Sequence, residues 1–190
     1  MRALFGNLLN MPVLKIIHPS NPVLRKKAAQ VNVFDTGLQN LIDDMIETMQ
    51  AAPGVGLAAP QVSESMRLFV ARLEEEPVDE VDLDAPKASM VPGLGRTHVM
   101  INPKITRFIG EDVVGTEACL SIPGFLGDVT RSNAIIIKYL DRQGQRRKLR
   151  THGWLARVLQ HEYDHLDGIL FIDRAEKVWR SDSEKRASAE

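Results

Sequence analysis

Residues 160–165 read QHEYDH, a stretch in which two histidines lie four positions apart and a glutamate directly follows the first. Apolar residues recur at helical spacings on both sides, and neither Pro nor Gly interrupts residues 154–167, so the segment is predicted to be a helix. Positions four apart are neighbours on a helix, so His161 and His165 can bind one divalent metal ion. Glu162 lies about 100° around the helix from His161, where its carboxylate can accept a proton from water without binding the metal.

A third metal ligand is required, because two His and a Glu at this spacing also occur on solvated helix faces. Cys119 is the only cysteine, so no intrachain disulfide can form, and its thiolate would complete a three-ligand set that leaves one position of a tetrahedral metal open. A longer pattern with a further histidine downstream fails, because Phe171 stands at that position. Glu184 is another candidate, but it lies in a polar tail and ranks below Cys119.

The composition suits one globular domain: 190 residues, 44% hydrophobic, with a net charge of -1. This charge gives no electrostatic reason to expect nucleic acid or an anionic membrane as the main partner. No run of about 18 apolar residues is present, so no membrane-spanning helix is expected. We divide the chain into an N-terminal extension at 1–12, a single catalytic domain at 13–175, and a C-terminal helix with a polar tail at 176–190.

The order of predicted elements indicates an α+β fold. A helix is expected to begin at Asp35 or Thr36, either of which can cap it, and to end before Pro53. An acidic loop is expected at 74–97. Strands are predicted at 67–73, 98–102, 105–109, 113–116, 129–131, 134–140 and 146–150. We therefore expect antiparallel β-sheets around a central helix that carries the two histidines, with a further helix at the C-terminus.

Three separated motifs occur along the chain: GVGLAAPQ at 54–61, EACLS at 117–121 and QHEYDHLDG at 160–168. In this order they resemble the peptide deformylase family, and the resemblance covers most of residues 13–175. The second motif usually reads EGCLS, so Ala118 is a departure. Its methyl group is expected either to crowd a peptide substrate or to require a different backbone angle. Arg131 is expected to pair with Glu117 of this motif, unless it lies at the surface.

The resemblance implies an enzyme that removes the formyl group from the N-terminal formylmethionine of newly made polypeptides and releases formate. The metal ligands that it implies are Cys119, His161 and His165. It also implies that Glu162 is the general acid and base, and that Gln61 and the backbone N–H of Leu120 hold the formyl oxygen. In this family the working ion is usually ferrous iron, although zinc or nickel can occupy the site, whereas the residue types alone favour zinc.

Four further residues are predicted to contact a peptide. Val55 and Gly56 can offer their backbone to an extended chain, a form of strand pairing that ignores side-chain identity. Trp154 and Val158 lie on the helical stripe of the two histidines. They either wall a pocket for the methionine side chain or simply fill the core.

The expected partners are N-formylmethionyl peptides and nascent chains, at the ribosome. The protein is expected to be a cytoplasmic monomer of bacterial type, or organellar if residues 1–12 are a leader. Two other functions stay open. A general zinc endopeptidase would cleave internal peptide bonds, and a catalytically silent homologue, suggested by Ala118, would bind metal without turnover.

Overall fold

The structure, a computed structural model, describes residues 13–74 and 92–181. The helices are α1 (Thr36–Ala51) and α2 (Gly153–Leu166). The strands are β1 (Gly56–Ala58), β2 (Leu68–Ala71), β3 (His98–Cys119), β4 (Ile122–Leu140), β5 (Arg146–His152) and β6 (Lys177–Arg180). Short 3-10 turns occupy Pro22–Arg25, Ala59–Val62 and Phe171–Asp173. The strands form one antiparallel sheet in the order β1-β2-β3-β4-β5, and β6 pairs with β4.

Helix α1 follows the predicted pattern. Its N-cap is Asp35, whose side chain accepts a hydrogen bond from the backbone N–H of Leu38. Its buried stripe contains Ile42, Met45 and Met49, which recur at helical spacing. It ends at Ala51, two residues before Pro53, as expected.

The two helices pack on opposite faces of the sheet. The alternation of β2 shows this directly: Leu68 and Val70 pack with the buried residues of α1, whereas Phe69 and Ala71 pack with those of α2. Almost all of α2 is buried, including both histidines. The predicted α+β class with an antiparallel β-structure is therefore confirmed. The strands form one sheet rather than several, and the QHEYDH helix packs on one of its faces.

Strands β3 and β4 are longer than predicted. The three segments expected between 98 and 116 form one strand, β3, which stays paired with β4 across several register shifts. β-Bulges let a strand continue past residues that break regular alternation. Two residues, Leu120 and Ser121, connect β3 to β4, so Cys119 lies beside the turn of the longest hairpin.

The C-terminal region differs from the prediction. A helix was expected within 176–190, but Lys177–Arg180 form β6, which pairs with β4 at Phe125–Asp128. Backbone pairing with the free edge of β4 outweighs the local helical pattern of this short segment. The rest of the predicted tail, the N-terminal extension and most of the predicted acidic loop lie outside the described residues. Within the described residues, no helix is long and apolar enough to cross a membrane.

Candidate active site

Three potential metal ligands converge between the end of β3 and α2. The ligand atoms of Cys119, His161 and His165 all lie within 4.8 Å of one another, and all three residues are buried. The Cys119 Sγ is 3.3 Å from His165 Nε2. A tetrahedral ion with metal–ligand bonds of 2.0–2.3 Å holds its ligand atoms roughly 3.5 Å apart. The donor set therefore fits a single divalent ion.

Glu117 orients the first of these histidines. Its Oε2 accepts a hydrogen bond from His161 Nδ1 at 2.9 Å, which leaves Nε2 of that ring available as the metal ligand. Burial alone would raise the pKa of Glu117, but hydrogen bonds from Arg131 and His161 outweigh burial and lower the pKa to about 2. Glu117 is therefore ionised at neutral pH beside the potential metal ligands.

Two arginines hold this glutamate. Arg131 donates to both carboxylate oxygens of Glu117, at 2.6 and 2.9 Å, and its remaining terminal nitrogen donates to Asp164 at 2.7 Å. Arg157 donates to Glu117 Oε1 at 2.9 Å and to three backbone carbonyls of β3 and β4. Arg131 is buried, so the predicted pair with Glu117 is confirmed over the surface alternative.

Glu162 lies beside the three ligands with one free oxygen. It is buried, and within the described residues its Oε2 has no hydrogen-bond partner. Burial is the main cause that raises its pKa to about 7. Gly56 packs directly against it: a Cβ on Gly56 would lie 2.3 Å from Glu162 Oε1. The close approach explains why a glycine stands at this position of GVGLAAPQ.

Gln61 points its amide N–H groups at the site. Its Oε1 accepts a hydrogen bond from the Ala58 backbone N–H at 2.8 Å, which fixes the amide orientation. Its Nε2 then lies 3.5 Å from Cys119 Sγ and 3.3 Å from Ser121 Oγ. The contact with Ser121 is long and sulfur is a weak acceptor, so these hydrogens are available to a stronger acceptor in the site.

A cleft of about 470 Å³ opens onto these groups. The predicted substrate-contacting residues that line it are Val55, Gly56, Ala118, Leu120, Trp154 and Val158. Trp154 is 48% exposed and stacks near the Arg157 guanidinium, so it belongs to the cleft wall rather than to the core. Val158 does both, because it lines the cleft and also packs in the core beneath α2. Every site residue predicted from the sequence is thus in or beside one cleft.

The family model for polypeptide deformylase matches residues 13–181. The chain belongs to the peptide deformylase family. It is therefore an enzyme, a metal-dependent amide hydrolase that removes N-formyl groups from nascent peptides.

Individual deformylases align over nearly the whole chain. Peptide deformylase 2 of Nostoc sp. is 46% identical over 169 residues, which are 88% of this chain and 89% of that protein. The peptide deformylase of Dehalococcoides mccartyi strain CBDB1 is 46% identical over 166 residues, 87% of this chain and 88% of that protein.

Solved deformylase structures share the fold. The enzyme from Ehrlichia chaffeensis superposes with a TM-score of 0.76 at 35% identity and covers 94% of this chain and 93% of that chain. The Acinetobacter baumannii enzyme, solved with Met-Ala-Ser bound, gives 0.75 at 36% identity and covers 86% of this chain and 99% of that chain.

Ala118 replaces the glycine of the deformylase motif without backbone strain. Among the described residues, the only non-glycine residues with positive φ are Ser63 and Asn102. Ala118 lies in β3 opposite Leu126, so its backbone is extended and the expected change of backbone angle is not required. The residue is exposed and lines the cleft, so its methyl group reduces the space that is available to a substrate.

Sequence reasoning missed Arg157 and Asp164 as parts of the deformylase site. Arg157 lies one turn before His161 between buried apolar neighbours, and a charge in an apolar stripe indicates a buried partner. Asp164 precedes His165 and binds both Arg131 and Arg174. Arg131 is 33 residues away and Arg174 lies beyond the end of α2, so no pattern within the helix identifies these partners.

Proposed function

We propose that the deformylation site consists of Cys119, His161 and His165 around one ion, with Glu162 as the group that moves the proton. The observation that carries this assignment is the convergence of one sulfur and two ring nitrogens beside a buried carboxylate oxygen that has no partner among the described residues. The ion that we propose for the working enzyme is ferrous iron, as in the family, although zinc or nickel would suit the same donors in a preparation. When bound, a divalent ion supplies a Lewis acid that makes water a nucleophile at neutral pH.

Glu162 performs the two proton transfers. As water attacks the formyl carbon, the carboxylate accepts the proton that the water loses. When the carbon–nitrogen bond breaks, Glu162 delivers that proton to the departing amine of methionine. Formate leaves with the oxygen of the water, and the carboxylate returns to its starting state.

Gln61 and Leu120 stabilise the negative charge that develops on the formyl oxygen. The locked Gln61 amide presents N–H groups, and Leu120 lines the cleft in the turn directly after Cys119. We assign its backbone N–H as the second donor. Removing one such donor typically lowers the rate about 10²–10³-fold.

The rest of the cleft holds the peptide. Val55 and Gly56 provide backbone groups for pairing with an extended chain, so any sequence after methionine can bind. Trp154 and Val158 form an apolar wall that suits the methionine side chain. Ala118 narrows the cleft at the strand that faces the substrate backbone.

We also propose that the enzyme works as a monomer on chains that are still attached to the ribosome, in a bacterial-type cytoplasm. The cleft supports work on nascent chains, because exposed residues such as Val55 and Trp154 line it at the protein surface. An open cleft also admits the end of a long polypeptide.

Formate release from formyl-Met-Ala-Ser tests the assignment. The iron-loaded enzyme is expected to release formate, Glu162→Ala is expected to keep the ion and lose turnover, and Cys119→Ser is expected to lose the ion. Metal content is measured beside the rate for each variant. Full turnover by Glu162→Ala would refute its role. Bound iron without formate release from the wild-type enzyme would favour a silent homologue, and cleavage of casein would favour an endopeptidase.

A further inference from the structure

The outer face of β3, β4 and β5 carries a dense group of positive charges. Lys104 pairs with Lys138, and Lys138 pairs with Lys148, so three lysines form one row across three strands. In the next row, Arg107 and Arg150 flank Ile136. Cross-strand partners share a face of the sheet, as do residues two apart along a strand. We call this surface the basic face; it consists of the exposed residues Lys104, Arg107, Lys138, Arg146, Lys148 and Arg150.

The cations of the basic face are not neutralised by the described part of the protein. None of the six forms an ion pair there, whereas Arg147, on the opposite side of β5, pairs with Asp141 at 2.7 Å. Arg142, at the neighbouring turn, pairs with Asp43 at 2.9 Å. Like charges directly opposite each other destabilise a sheet. The fold therefore keeps an unfavourable arrangement at this face while it neutralises arginines a few residues away.

Protection of a sheet edge does not explain the basic face. Lysines on edge strands prevent unwanted strand pairing, and β5 is an edge strand. Lys138, however, lies in β4 between β3 and β5, where no edge is exposed. Edge protection therefore does not account for the charge of Lys138.

The face suits a polyanion with a regular backbone. Neighbouring strands lie about 4.8 Å apart and alternate residues about 6.7 Å apart, so the cations cover roughly 10 by 13 Å. The half-buried Ile136 is the one apolar residue between them, so the face has neither aromatic rings for stacking bases nor apolar side chains for entering a membrane. Such a surface contacts phosphates without reading sequence.

We propose that the basic face binds the phosphate backbone of double-helical RNA while the enzyme acts on nascent chains. The inference rests on the proposed work at the ribosome, a particle rich in such RNA. The overall charge of -1 does not reveal this site, because acidic residues elsewhere cancel the sum without neutralising the face. The face lies toward the far ends of β3 and β4 from Cys119 and on the side of the sheet opposite α2, so bound RNA leaves the cleft open.

Fluorescence anisotropy with a labelled RNA duplex of about 20 base pairs, at salt from about 50 to 200 mM, tests the proposal. Two triple variants make the same change in net charge. The basic-face variant carries Lys104→Glu, Lys138→Glu and Lys148→Glu. The control variant carries Lys15→Glu, Lys26→Glu and Lys27→Glu, at exposed positions outside the basic face.

The wild-type enzyme and the control are expected to bind with similar affinity, and the basic-face variant at least about tenfold more weakly. Its salt dependence should also fall, since each phosphate contact contributes about 0.9 to the slope of log K against log salt for a duplex. Equal weakening of both variants, or no binding by the wild-type enzyme at about 50 mM salt, would overturn the proposal. The proposal would also be overturned if the basic-face variant lost binding to anionic phosphatidylserine vesicles but bound RNA as tightly as the wild-type enzyme.

Formate release from free formyl-Met-Ala-Ser separates this inference from the proposed function. All three proteins are expected to release formate at the same rate, because the free peptide needs no RNA contact and none of the altered residues lies in the cleft. Absence of turnover in all three proteins would count against the proposed active site. Normal turnover without RNA binding would count only against the proposal that the basic face binds RNA.

Discussion

Gly56 and Glu162 are in such close contact that each restricts the other. The GVGLAAPQ segment passes directly over the Glu162 carboxylate, so the position of the proposed proton-transfer group depends on a residue without a side chain. The GVGLAAPQ and QHEYDHLDG motifs are therefore in direct contact at this point, and a single substitution can test the importance of that contact.

We expect Gly56→Ala to lower the rate constant of formate release about 100-fold, because the new Cβ would displace Glu162 from its productive position. Metal content should not change, because no ligand moves. Gly37→Ala is the control: its Cβ would lie 3.3 Å from Asp35 Oδ1 at the start of α1, away from the cleft, and its rate should equal that of the wild-type enzyme. An unchanged rate for Gly56→Ala would show that Glu162 can move without loss.

We expect Glu117→Gln to weaken metal binding about 10–100-fold, because the second oxygen that orients His161 becomes an amide. Competition with a chelator measures the affinity. Glu176→Gln is the matched control, since Glu176 accepts an exposed hydrogen bond from Thr130 outside the metal site. Equal affinities for the two variants would contradict the orienting role of Glu117.

The sequence predicts which three donor side chains converge better than it predicts the residues that hold them in place. His161 and His165 are identified by a spacing that has a mechanical meaning on a helix, and Cys119 by being the only thiol. Arg157 binds Glu117, 40 residues away, and Asp164 binds Arg131, 33 residues away, and only the fold brings these pairs together.

At the scale of elements, Arg157 connects α2 to the β3–β4 hairpin. Its guanidinium donates to carbonyls of Val113, Gly115 and Val129 as well as to Glu117. Gly115 leaves space for it, since a Cβ there would lie 2.7 Å from the guanidinium carbon. One side chain therefore fixes the helix of the histidines against the strand of the cysteine.

We expect Arg157→Met to lower the free energy of unfolding by about 3–5 kcal/mol, because Glu117 and three carbonyls lose a buried donor. Urea unfolding monitored by circular dichroism measures the change. Arg142→Met removes a partly exposed pair with Asp43 and should lose at most about 1 kcal/mol. A similar decrease in the free energy of unfolding for both variants would show that Arg157 stabilises the fold no more than a partly exposed ion pair does.

The elements were predicted well where local signals suffice. The Asp35 cap and the apolar stripe of α1 are local, and both are as expected. The continuity of β3 and the pairing of β6 depend on β4, which supplies hydrogen-bond partners from elsewhere in the chain, so local periodicity could not reveal them.

At the scale of the whole molecule, the proposed metal ligands join the β3–β4 hairpin to α2. An ion bound to Cys119, His161 and His165 is lost on unfolding and so stabilises the folded state. We expect nickel at about 100 times its dissociation constant to stabilise the wild-type enzyme by about 2.7 kcal/mol, which raises the melting temperature by roughly 5–10 °C.

Differential scanning calorimetry with and without nickel measures this shift. Cys119→Ser is expected to show a much smaller shift, because a hydroxyl is a poor replacement for a thiolate ligand. An equal shift for both proteins would mean that nickel binds elsewhere on the folded chain.

The order of the ligands along the chain also bears on how the enzyme matures. Synthesis proceeds from the N-terminus, so Cys119 leaves the ribosome 46 residues before His165, and β5 must form between them. A partly made chain therefore holds a thiol but no helix of histidines. The proposed site can hold an ion only after synthesis has passed His165 and α2 has packed on the sheet.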